Sequence, residues 1–204
     1  MEIILENIGK KYYQRWLFRH LSFKVETGQK WLIKGPNGSG KSTLLQIMAG
    51  AVGVSEGKVS YRFEGNPVSG TQVYTHLAWA APGLSLYTDL SLRESISLHF
   101  TFKSCLLDDP LELAKILDLE AHIDKPLKFF SSGMLQRLAV GLALVSDTPL
   151  LLLDEPTSNL DTVQARKLIT LIEKFSANRT LILASNLERE AKNMTHFWEL
   201  QKAV

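Results

Sequence analysis

The run Gly35-Pro36-Asn37-Gly38-Ser39-Gly40-Lys41-Ser42-Thr43 fits the phosphate-cradling loop pattern G-x-x-x-x-G-K-[ST] at every fixed position. An anionic polyphosphate needs backbone N–H groups that can approach it closely, and a helix N-terminus aimed at the charge. Gly35, Gly38 and Gly40 leave the backbone open, and a helix expected over Lys41–Ala49 supplies the N-terminus. Lys41 would reach the β- and γ-phosphates as a point charge, and the Ser42 hydroxyl would be one ligand of a Mg²⁺ ion that keeps most of its waters. The pattern predicts a nucleoside-triphosphate site. A glycine-rich surface turn that happens to hold a lysine is the plain alternative. The apolar Trp31-Leu32-Ile33 just upstream argues against it, because it reads as the buried strand such a loop follows.

A second candidate group is Leu150-Leu151-Leu152-Leu153-Asp154-Glu155, four apolar residues ending in two acids. A strand buried on both faces has this form when its carboxyl end opens into a site. Asp154 would hold Mg²⁺ through water, and Glu155 would orient and deprotonate a water for in-line attack on the γ-phosphate. The alternative is that the two acids merely cap the turn at Pro156. The histidines, His20, His76, His99, His122 and His196, show no metal-ligand spacing and read as surface or packing residues.

These side chains need elements to position them. Up to residue 80 the chain reads as short strands, Glu2–Leu5, Leu21–Val25, Trp31–Lys34, Lys58–Phe63 and His76–Ala80, punctuated by Gly57, Gly65, Pro67 and Gly70. From Ser91 to Val145 the period is helical, with helices expected over Ser91–Phe102, Pro110–Leu117 and Ser131–Ser146 and no strand. Strands and helices then alternate: Leu150–Leu153, helix Thr162–Phe175, strand Thr180–Ala184, and a helix plus strand ending near Leu200. The alternation predicts an α/β fold with a parallel sheet and helical crossovers, interrupted by a helical insert.

With 204 residues, 45% hydrophobic and 22% charged, the composition is that of an ordinary globular chain, and the length does not require two domains. A formal net charge of +2 with scattered Lys and Arg gives no basic face, so no nucleic-acid partner is expected. The longest apolar stretches fall well short of the roughly 20 residues that span a bilayer. Met1-Glu2-Ile3-Ile4-Leu5-Glu6 carries acid where a secretory signal would carry positive charge, which points to the cytoplasm. Cys105 is the only cysteine, in keeping with a reducing compartment.

With Pro156-Thr157-Ser158-Asn159-Leu160-Asp161 added, the segment from Leu150 resembles the Walker B and D-loop of ATP-binding cassette (ABC) ATPases, the D-loop ending at Asp161. Phe130-Ser131-Ser132-Gly133-Met134-Leu135-Gln136-Arg137 is similar to that family's signature motif, with Ser-Ser-Gly-Met where the commonest form reads Ser-Gly-Gly-Gln. The resemblance spans Asn7 to about Leu187. It implies a P-loop NTPase fold of the ABC type: a mainly parallel sheet, an antiparallel β subdomain, and a helical subdomain at about 84–146 inserted in one nucleotide-binding domain, 1–204. It implies ATP and Mg²⁺ as cofactors and a transmembrane permease subunit as partner. The chain would then sit on the inner face of the cell membrane as a peripheral subunit, with transport in the export direction. It also implies a head-to-tail homodimer, or a heterodimer with another cassette, in which Ser131, Ser132, Gly133 and Met134 meet the ATP held by the opposite protomer. A helix N-cap by Ser131 or Ser132 with no ligand satisfies the same residues. In the family an aromatic side chain stacks on adenine at the spacing Tyr12 has from Lys41; Tyr13 and Trp16 are its competitors.

The chain departs from the family twice. The switch histidine expected after Thr180–Ala184 is replaced by Asn186, which can donate a hydrogen bond but cannot carry a proton charge. The glutamine of the Q-loop is replaced by Pro82, and the stretch Pro82–Ser95 is where the permease's coupling segment would dock. Hydrolysis is therefore expected to be slow. A soluble ABC ATPase on ribosomes or DNA, an ATP-gated clamp with little turnover, and a phosphate-loop kinase are the rival readings.

Overall fold

The structure, a computed structural model, describes residues 1–83 and 86–201. Leu84 and Ser85, within the expected permease-docking stretch and at the expected start of the helical insert, lie outside the described residues.

Among the described residues two sheets carry the fold. The first is antiparallel, in the order β2-β1-β4-β5, from β1 (Glu2–Tyr12), β2 (Arg15–Val25), β4 (Glu56–Phe63) and β5 (Asn66–Val68). The second is wholly parallel, in the order β6-β7-β8-β3-β9, from β3 (Lys30–Lys34), β6 (Leu77–Ala80), β7 (Leu150–Asp154), β8 (Thr180–Ala184) and β9 (His196–Glu199). Every residue of β7 and β8 is buried, which explains why both read as unbroken apolar runs. Alternate residues of β7 serve different cores. Leu150 and Leu152 face the layer under the antiparallel sheet with Ile3, Leu5 and Leu44. Leu151 and Leu153 face Val140, Leu144, Leu168 and Ile172 on the other side.

Among the described residues five α-helices complete the architecture: α1 (Lys41–Met48), α2 (Leu92–Phe102), α3 (Pro110–Ile116), α4 (Ser132–Val145) and α5 (Thr162–Phe175). Their starts follow local chemistry. Ser91 and Glu94 form a reciprocal capping box on α2, Asp109 caps α3 ahead of a first-turn proline, and Asp161 caps α5. Leu92, Ile96, Leu113, Leu127, Leu138 and Leu142 make a third apolar cluster, so α4 packs on both the parallel sheet and the other helices. No helix among the described residues is long and apolar enough to cross a membrane.

Several sequence expectations are corrected. β1 and β2 run to eleven residues each, well beyond Glu2–Leu5 and Leu21–Val25. Register shifts between Leu5 and Ile8, with Asn7 at φ 49° and its N–H bonded to Ser22 Oγ at 2.8 Å, break the alternation that would have shown their length. His76 belongs to a 3₁₀ turn, Val73–His76, and the strand begins at Leu77. The helix expected before the last strand is only a 3₁₀ turn, Glu188–Glu190, because Glu190 points its carboxylate inward to Thr157. In the helical stretch, isolated bridges join Ser91 to Pro126 and Cys105 to Ser146.

Candidate functional site

The loop from Gly35 to Gly40 leaves β3 and enters α1 through three backbone positions that suit glycine: φ is 151° at Gly35, 77° at Gly38 and 99° at Gly40. Gly35 is also confined by its surroundings. A Cβ there would lie 2.4 Å from the Leu200 carbonyl oxygen and 2.7 Å from Ser39 Oγ. Gly40 stands at the N-cap of α1 and offers no side chain to its first turn, so those N–H groups are free for an anion. Lys41 is buried, and its Nζ donates to the Gly35 carbonyl at 2.8 Å and to the Pro36 carbonyl at 3.5 Å.

Strand order brings the acids to this loop. β8 lies between β3, which delivers the loop, and β7, which ends in Asp154. Asn186, just beyond β8, therefore sits against the loop: its Oδ1 accepts from Gly35 N–H at 3.2 Å and its Nδ2 donates to Asn37 Oδ1 at 3.4 Å. Asp154 is 4% exposed, and one carboxylate oxygen has no partner among the described residues. Burial raises its pKa above the usual aspartate range; a hydrogen bond from Ser42 and the charge of Lys41 oppose the rise, and neighbouring Glu155 adds to it. Glu155 follows in a left-handed conformation, φ 43°, with its N–H donating to the Ala184 carbonyl at 2.8 Å. A non-glycine residue held there costs on the order of 1–3 kcal/mol, a strain typical of site residues.

Two adjoining clefts meet at Ser42 and Glu155. One, about 330 Å³, is bounded by Ser42, Gln46, Trp79, Pro82, Asp154 and Glu155. The other, about 390 Å³, is bounded by Leu17, Asn37, Gly38, Gly40, Lys41, Ser42, Thr43 and Glu155. An orphaned buried carboxylate oxygen in a cleft that the Ser42 side chain also lines suits a hard cation such as Mg²⁺. Among the described residues no group of three or more His, Cys, Asp or Glu could hold a metal, so such an ion would rely on Ser42, Asp154, water and phosphate. Pro82 stands in the first cleft without a side-chain donor, and Gln46 of α1 is the amide beside it.

The signature residues lie elsewhere. Ser131 is exposed at the N-cap of α4, and its Oγ accepts from Met134 N–H at 3.2 Å. Ser132 is exposed; Gly133 lies against the D-loop, where a Cβ would meet the Asn159 carbonyl oxygen at 3.2 Å; Met134 packs on the helical cluster. Neither cleft is lined by any of Ser131 to Met134. Gln136, one turn into α4, ties the two regions: its Nε2 donates to the carbonyls of Glu155 and Pro156 at 3.3 and 3.1 Å. Asp161 Oδ1 accepts from the Val163 and Gln164 N–H groups, both at 2.9 Å.

The three candidate aromatics do not line the clefts. Tyr12 is 45% exposed below Lys10 Nζ, Tyr13 is fully out in solvent at the hairpin tip, and Trp16 lies between Arg19 and Lys11. Leu17 is the hairpin residue beside the phosphate loop. The sequence reading missed Leu17, Gln46, Trp79 and the role of Gln136; only Gln136 carried a signal, as part of the signature run.

A family model described as "ABC transporter" matches residues 18–158. The chain is 31% identical over 195 residues to the lantibiotic transport ATP-binding protein SrtF of Streptococcus pyogenes, covering 95% of this chain and 83% of that protein. It is 30% identical over 185 residues to the cytochrome c biogenesis ATP-binding export protein CcmA of Brucella abortus, covering 91% and 85%. Among solved structures, the ATP-binding cassette MJ0796, dimeric in a post-hydrolysis state with ADP and Pi, superposes with a TM-score of 0.84 at 21% identity, covering 99% of this chain and 97% of that one. Phosphate loop, paired acids and matched family together establish that the chain belongs to the ABC transporter family, as an ATP-hydrolysing cassette.

Proposed function

We propose that this cassette closes on Mg²⁺-ATP as a head-to-tail pair and, on hydrolysis, opens to drive a separate membrane permease, in the export direction. The observation that carries the reading is the separation of two half-sites: Lys41 and Asp154 line adjoining clefts that meet at Glu155, whereas the exposed Ser131 cap lines neither. A helix tip with a serine hydroxyl and outward N–H groups suits a phosphate held by another protomer, and a two-fold pair satisfies both copies at once. The partner is a second copy of this chain or another cassette.

Within one site, the loop N–H groups and Lys41 bind the polyphosphate, and Ser42 with Asp154 would hold Mg²⁺, which supplies charge neutralisation at the phosphates. Glu155 orients and deprotonates the attacking water, a role worth on the order of 10²–10⁴-fold in rate. Asn186 steadies the loop by hydrogen bonds but brings no titratable proton, which favours a slow turnover. Residues 1–204 are read as one nucleotide-binding domain, with the insert at about 84–146 presenting the permease-facing groove near Leu86, Trp79 and Pro82. The chain would then be peripheral on the cytoplasmic face of the membrane. The export direction is supported by the name of CcmA, an ATP-binding export protein.

Phosphate release and molar mass, measured together on the purified chain, test the reading. Expected are ATP hydrolysis whose specific rate rises with protein concentration, and a dimer trapped by ATP in Glu155→Gln. Gly133→Asp, which sets a charge at the helix tip, should abolish the dimer and keep nucleotide binding. Full hydrolysis by a monomer would overturn it.

A further inference from the structure

The segment joining β8 to β9 is fastened at its start and at its middle to loops that carry the chemistry. At its start Asn186 grips the phosphate loop through Gly35 and Asn37. Four residues on, Glu190 is 2% exposed, and its Oε1 accepts from the Thr157 N–H at 3.0 Å and from the Thr157 hydroxyl. Arg189 completes the knot: its Nε donates to Thr157 Oγ1 and its Nη2 to the Thr157 carbonyl, both at 3.1 Å. Thr157 is fully buried, and its N–H, hydroxyl and carbonyl are all held by this one pair of residues.

The arrangement is costly as packing. Glu190 keeps a carboxylate out of water with Oε2 unpartnered among the described residues, where an apolar side chain would lose less hydration. Such a buried polar knot fixes a geometry more than it adds stability. The geometry in question is that of the loop after β7. Thr157 follows Glu155 by two residues and precedes the Asp161 cap, and the same loop meets Gly133 through Asn159.

We infer that Glu190, acting through Thr157, is a positioning residue for hydrolysis, and that residues 185–190 form a strut setting the spacing between the phosphate loop and the loop that carries Glu155. A phosphate drawn against Asn186 and a water held by Glu155 are thereby kept in one frame, and a shift of the phosphate loop is passed to the Asn159–Asp161 turn. The inference rests on the assignment of Glu155 as base proposed above.

The test is kinetic, on the full chain. Thr157→Val keeps the shape and removes the hydroxyl, and with it the hydrogen bonds to Glu190 and from Arg189; kcat should fall at least about tenfold, with KM for ATP within about twofold. Thr157→Ser restores the hydroxyl and should return kcat to within about twofold of the parent. A Thr157→Val variant with unchanged kcat, or one whose kcat, KM and thermal midpoint all worsen without rescue by serine, overturns the strut. Glu155→Gln in the same series separates the two readings: if it hydrolyses ATP at the parent rate, the base assignment falls and the strut with it. If it is inactive while Thr157→Val is indifferent, only the strut falls.

Discussion

Lys41 Nζ lies 2.8 Å from the carbonyl oxygen of Gly35, so the cation meant for phosphate is turned back onto its own loop. Its charge is met by two carbonyl dipoles, Gly35 and Pro36, while it is buried. Phosphate oxygens bind an ammonium more strongly than neutral carbonyls do, so nucleotide should release the lysine from the loop.

Lys41→Ala removes that point charge. ATP affinity is expected to fall at least about tenfold, at roughly 1.5–3 kcal/mol for a charged hydrogen bond, with hydrolysis lost alongside it. Fluorescence titration with a labelled nucleotide and a phosphate-release assay measure the two effects.

Glu155→Gln keeps the loop's shape and removes the base. Phosphate release should drop on the order of 10²–10⁴-fold while ATP affinity is retained. Isothermal titration beside the rate assay checks the split.

Asp154→Asn should make the nucleotide-free protein more stable and the enzyme inactive. The carboxyl's pKa is raised chiefly by burial, so its favourable contribution is complete below the ordinary aspartate value of about 3.9 and is lost as pH rises through the raised folded value. At neutral pH the buried charge is a penalty, which the amide lifts. Thermal midpoints at pH 7 should rise in the variant without nucleotide, and Mg²⁺-ATP should stabilise only the parent. A lower midpoint for the variant would contradict the sign.

Asn186→Ala deletes the acceptor for Gly35 N–H and the donor to Asn37. At about 0.5–1.5 kcal/mol for each neutral hydrogen bond, the two together contribute about 1–3 kcal/mol, and ATP affinity should weaken by roughly five- to a hundredfold. The pH profile of hydrolysis should show no inflection from residue 186 in the parent, and one near neutrality in Asn186→His.

The parts legible in the sequence were those where backbone geometry or double-sided burial forces residue type. Gly35 to Thr43 and Leu150 to Glu155 are continuous in the chain, and each position answers to a local demand: open backbone, helix start, buried strand, acid at the strand end. The family resemblance added the antiparallel sheet, seen in β1, β2, β4 and β5. What stayed hidden depends on neighbours far apart in sequence. The length of β1 is masked by the register shift at Asn7, whose partner Ser22 is set by the hairpin. Leu17 reaches the cleft only because β2 passes the phosphate loop, and Thr157 meets Glu190 only once β7 and β8 are paired. The expected helix before β9 failed for the same reason: an inward carboxylate outweighed local helical pattern.

The contact between Gly35 and Leu200 has a bearing on how the protein is made. The wall behind the phosphate loop is backbone from the far side of the chain, docked by the hydrogen bond from Leu200 N–H to the Lys34 carbonyl. During synthesis the glycines emerge early but remain unsupported until residue 200 has been translated and has docked. Nucleotide binding is therefore acquired only after β9 and Leu200 have been made and docked, and a ribosome-stalled fragment ending before β9 should carry every phosphate-loop residue and still bind ATP poorly.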